Sequence, residues 1–170
     1  MMKIPEIDNE KKQEVMDIID TAATLFEESD YENDETVKND LKQLDFRLKE
    51  ITGKEDISVD NYHSYWSYTS LETVAKEALM PKPEKQGLSD KRITEIIKNI
   101  FEYNQIEDEA ELDYWMNVLE IETGLNNITD YIFYPDLVGL ELHASLDEII
   151  AKILIDKTKS YIELPDRQDG

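Results

Sequence analysis

Residues 122–135 read ETGLNNITDYIFYP and residues 51–66 read ITGKEDISVDNYHSYW, and the two line up from a shared Thr-Gly pair. Behind each comes a second matched segment: SLETVAKEAL at residues 70–79 and SLDEIIAKIL at residues 145–154, in the same order. Glycine after an apolar periodic run is a common way to end a helix, and a serine before one is a common way to begin it. The repeat therefore predicts an all-α chain built as two tandem modules of roughly 80 residues, each with four helices of which the third is short. The boundary falls in PKPEKQG, residues 81–87, which holds two prolines, a glycine and no large apolar side chain. The expected modules are residues 1–83 and 84–170. At that size each is near the lower limit for an independent core.

The apolar spacing fills in the helices. Val15, Ile18, Ile19, Ala22, Leu25 and Phe26 step by three and four, which predicts an amphipathic helix over residues 12–27. An acidic loop, EESDYENDE, leads to Asp34 or Thr36 as caps for a helix carrying Val37, Leu41, Leu44, Leu48 and Ile51, which stops at Gly53. Ser70 caps a helix that ends at Met80, before Pro81. In the second half Ser89 and Asp90 open a helix with Ile93, Ile96, Ile97 and Ile100. Past the short acidic loop QIEDE, Leu112, Trp115, Leu119 and Glu122 hold the register of Leu41, Leu44, Leu48 and Ile51. Ser145 then caps a helix through Ile149, Ile150 and Ile153, and LPDRQDG at the end reads as a frayed polar tail.

Charge narrows the function. Eighteen basic against forty acidic residues give a net charge of −22, divided as −10 over residues 1–85 and −12 over residues 86–170. Such a chain does not bind nucleic acid through its phosphates or sit on an anionic membrane, and a basic protein is its natural complement. Nine Tyr, four Phe and two Trp are too many for a disordered acidic tail. The absence of Cys excludes disulfides and thiolate chemistry, and there is no leader-like or membrane-spanning apolar run, so a cytoplasmic protein is expected.

No catalytic motif is present: no G-x-S-x-G, P-loop, G-x-G-x-x-G or H-E-x-x-H. Asp60 and His63 share a helical spacing, but two ligands do not make a metal site, and His143 has no matching acid. Glu107, Asp108 and Glu109 lack the alternating ligand pattern and turn glycine of a calcium loop. The expectation is a protein without enzymatic activity, metal or cofactor.

The segment Thr129–Pro135, TDYIFYP, places an acid among three aromatics in an element too short for a long helix. Two readings stand: a recognition hot spot, since rings offer contact area at low entropic cost, or a core plug of Ile132 and Phe133 edged by Tyr131 and Tyr134. From Glu109 to Pro135 the sequence resembles the second and third helices of the colicin and pyocin nuclease immunity proteins, whose third element reads Ser-Asp-Leu-Ile-Tyr-Tyr-Pro. Thr129, Asp130, Ile132, Tyr134 and Pro135 match in type, whereas Tyr131 stands for a Leu and Phe133 for a Tyr.

The resemblance implies inhibition of a basic nuclease toxin by occlusion of its DNA or RNA cleft. It implies specificity residues Leu112, Asp113, Met116 and Glu120 on the second helix of the second module, with anchors Asp130, Phe133 and Tyr134 on the third. By helical spacing Trp115 belongs to the core and Met116 lies towards its edge. The first module departs from the pattern. It carries Lys42, Asp45 and Lys49 on the corresponding face and Trp66 where the proline belongs. The rival reading is an acidic adaptor or DNA mimic that binds basic proteins broadly.

Overall fold

The computed structural model describes residues 3–102 and 108–162. It is all-α, and among the described residues there is no strand. Two compact units account for it: Pro5–Pro81, and Lys82–Gly170 together with Met1–Ile4. Ile4 thus belongs with the second half, where it packs against the core. The expected loop QIEDE falls largely outside the described residues, as do Glu107 and the tail LPDRQDG.

The first unit is built from α1 (Asn9–Glu28), α2 (Glu35–Thr52) and α3 (Leu71–Leu79). Asp8 caps α1 by accepting from Lys11 N, and Asp34 caps α2 through Thr36 N at 2.9 Å. Val15, Ile19 and Ala22 of α1 are fully buried and meet Leu48 of α2 and Val74 and Ala75 of α3. Between α2 and α3, where a short third helix was expected, the helical structure is short and of 3-10 type, in two turns, Val59–Tyr62 and Tyr65–Ser67. Ser58 Oγ caps the first turn by accepting from Asp60 N, and Ser67 Oγ donates to Ser64 O.

The second unit contains α4 (Asp90–Glu102), α5 (Glu109–Thr123), α6 (Ile128–Phe133) and α7 (Leu146–Ile162). α5 packs against α4, α6 and α7. Ile93, Ile97, Leu119, Ile128 and Ile153 form its dry centre. Ser145 and Glu148 make a reciprocal capping box at the start of α7, with Ser145 N donating to Glu148 Oε2 at 2.7 Å and Glu148 N to Ser145 Oγ at 3.2 Å. Hydrogen bonds from the Ser145 backbone N–H and hydroxyl hold the Glu148 carboxyl below its ordinary pKa.

The Thr-Gly pairs take one geometry in both units. Thr52 Oγ1 donates to Leu48 O and Thr123 Oγ1 to Leu119 O, each four residues back. Gly53 and Gly124 follow with φ of 67° and 71°, a left-handed conformation that disfavours any side chain. α2 and α5 therefore end by the same device.

Candidate functional site

α6 has only six residues, too few to be stable on helical propensity. Burial holds it in place. Ile128, Tyr131 and Ile132 recur at three and four residues and sink into the core, which leaves Phe133 one step outside the buried arc. Tyr134 leaves the helix with φ of −136°, its N–H still bonded to Asp130 O, and buried Pro135 opens a 3-10 turn, Pro135–Val138. Phe133 and Tyr134 consequently stand 49 % and 55 % exposed. The plug reading placed Ile132 and Phe133 inside. The structure puts Tyr131 and Ile132 inside and turns Phe133 and Tyr134 outward.

Tyr131 is bound firmly. Its hydroxyl donates to Asp156 Oδ2 on α7 at 2.8 Å, and burial together with that acid pushes its pKa up to about 12. Burial raises the Asp156 carboxyl, but hydrogen bonds from Lys152 and Tyr131 outweigh it and hold the group below the ordinary carboxylate range. The inner ring of the aromatic cluster thus fixes α6 to α7, and the outer two rings are left for solvent or a partner.

On α5, Asp113 is exposed, Glu120 and Leu112 are half-buried, and Leu112 rests against the core. Met116 is a correction. It was expected at the edge of the core beside Asp113 and Glu120, yet it is 9 % exposed and belongs to the buried cluster with Trp115 and Leu119. Because α5 has neighbours in α4, α6 and α7, its apolar arc is wider than one stripe, and a position 100° from Trp115 is still inside. The open face of α5 is instead Asp113, Asn117 and Glu120, at spacings of four and three. Trp115 is buried as expected, although its indole N–H has no hydrogen-bond partner among the described residues.

Along the sequence, the stretch that holds α6 carries charge of one sign only. From Asn99 to Ala151 the sequence contains neither Lys nor Arg, a signal that counting by halves had blurred. Among the described residues the carboxylates of Asp113, Glu120, Asp130, Asp136 and Glu141 take part in no ion pair. Within this unit Arg92 pairs with Glu95, Lys152 with Asp156 and Lys157 with Asp90.

The corresponding face of the first unit is used internally. Asp45 binds Lys49 at 2.8 Å and accepts from Val59 N at 2.9 Å, tying α2 to the first 3-10 turn. Burial raises the Asp45 carboxyl, and these bonds lower it by more. Lys42 is exposed. The Asp60–His63 pair gains no further ligand: among the described residues no group of three or more His, Asp or Glu could hold a metal ion, and His63 lies against the rings of Phe26 and Tyr31. No described helix is long and apolar enough to cross a membrane.

One supporting residue was partly legible. Glu122 sits on the apolar register of α5 and is 3 % exposed, where its carboxylate accepts from Gln86 N and from Leu88 N at 2.8 Å. The Pro-Gly segment read as a linker is therefore fastened to the end of α5. Comparison of the chain with protein-family models, characterised proteins and solved structures gives no match.

Proposed function

We propose that the chain is an immunity protein that binds a cationic nuclease toxin and denies nucleic acid its approach, acting in the cytoplasm and without chemistry of its own. The observation that carries this reading is the outward presentation of Phe133 and Tyr134, beside Asp130, by a six-residue helix in a stretch free of cations. Rings of this kind give slow dissociation when desolvated in a complex, while unpaired carboxylates accelerate encounter with a basic partner. The resemblance over Glu109–Pro135 names the class of partner, and the Thr-Gly helix ends of the two units support descent by tandem duplication. In this reading the second unit carries the toxin and the first supports it, since Asp45 and Lys49 are already engaged with each other.

The test is co-expression with each of a panel of colicin- and pyocin-type nuclease domains. A stable complex at physiological salt, with survival of cells that the nuclease alone kills, is the expected result. Binding that vanishes steeply with salt and ignores Tyr134→Ala would point to the broad acidic adaptor instead.

A further inference from the structure

Eight large hydrophobic side chains stand exposed among the described residues, and four of them fall within one short run: Phe133, Tyr134, Leu137 at 67 % and Leu142 at 62 %. Single exposed apolar residues are ordinary on a protein surface, whereas a group of four is not. The backbone keeps the run compact. Leu137 N donates to Tyr134 O at 2.9 Å, Leu140 N returns to Pro135 O at 3.1 Å, and Ala144 N bonds Glu141 O at 3.0 Å. Val138 and Leu140 pack against the core, so the segment sorts its apolar residues and leaves Leu137 and Leu142 outside a folded structure. Exposed Asp136 and Glu141 adjoin the two leucines, with no cation among them.

Resting on the reading that the α6 face docks a nuclease toxin, we propose that the docking surface continues past α6 through Leu137 and Leu142. Its occupant is a cationic protein that presents an apolar side chain ringed by Lys and Arg. Leu137 and Leu142 meet the apolar centre, and Asp136 and Glu141 meet the ring, which matches the usual division of an interface into a desolvated core and a polar rim. A second copy of this chain is the wrong complement, because its own acids would oppose Asp136 and Glu141.

The test compares the full-length chain with Leu137→Ser/Leu142→Ser and with Asp136→Asn/Glu141→Gln, titrated calorimetrically at low and high salt with a panel of purified colicin- and pyocin-type nuclease domains. The leucine double variant should raise Kd at least about tenfold, by the same factor at both salts, as loss of apolar burial requires. The acid double variant should raise Kd chiefly at low salt. All four positions are exposed, so circular dichroism should be unchanged. Wild type and the leucine variant binding with equal Kd would overturn the extension and leave the α6 reading intact, whereas no binding by wild type would remove both. A concentration-dependent dimer in sedimentation, abolished by the leucine changes, would assign the patch to a second copy and overturn the proposed occupant.

Discussion

Replacing Glu122 by Gln removes one charge and almost no volume, yet it should weaken the second unit markedly. The carboxylate accepts two backbone N–H bonds, from Gln86 and Leu88, in a residue only 3 % exposed. An amide has one accepting oxygen, and its NH2 group would face the other donor. Two charge-assisted bonds, each worth about 1.5–3 kcal/mol, give way to one neutral bond of about 0.5–1.5 kcal/mol and one open N–H. Water reaches Gln86, which is exposed, and so recovers part of that difference. A net loss of about 2 kcal/mol is expected. Urea unfolding of the purified full-length chain measures it, and amide hydrogen exchange at Gln86 and Leu88 locates it: both should exchange faster in E122Q than in wild type. A stability change below about 0.5 kcal/mol, the size of an ordinary surface substitution, would refute the reasoning.

Met116→Ala should cost about 2–5 kcal/mol of stability by leaving a cavity, with Asp113→Ala nearly neutral in the same urea titration. Tyr131→Phe bears on alkaline pH. A group whose folded pKa is raised contributes stability below its unfolded value of 10.0 and loses it as pH climbs towards about 12, so the wild type should lose stability over that window and the Phe variant should lose less of it, as followed by circular dichroism. Asp113→Lys with Glu120→Lys should slow association with the nuclease domain several-fold, and the effect should shrink at high salt. Lys42→Glu, on the matching face of the first unit, should change the kinetic traces little.

The helices were legible because their signals are local and agree with one another. Asp34, Ser70 and Ser145 cap where their side chains allow, Gly53 and Gly124 stop helices in the left-handed region, and the three-and-four spacing marks the buried faces. What escaped depends on the number of neighbours. Met116 lies on a helix with three packing partners, so a one-stripe reading of α5 assigned it to the edge. The orientation of TDYIFYP could not be decided from composition. It follows from where α6 begins, because Ile128, Tyr131 and Ile132 take the buried arc and force Phe133 and Tyr134 outward. The short third element of the first unit was legible as short, but its 3-10 geometry was not. Leu137 and Leu142 carried no periodic signal at all.

Titrating nuclease activity against the purified chain decides whether this surface silences a nuclease, as proposed. With a panel of colicin- and pyocin-type nuclease domains and a nucleic acid substrate, wild type should abolish cleavage by its cognate at one chain per nuclease domain. Asp130→Ala and Tyr134→Ala should each weaken that inhibition by at least about 2 kcal/mol while remaining folded. Full cleavage by every domain of the panel in the presence of a molar excess of wild type, or inhibition that both variants retain unchanged, would contradict the account.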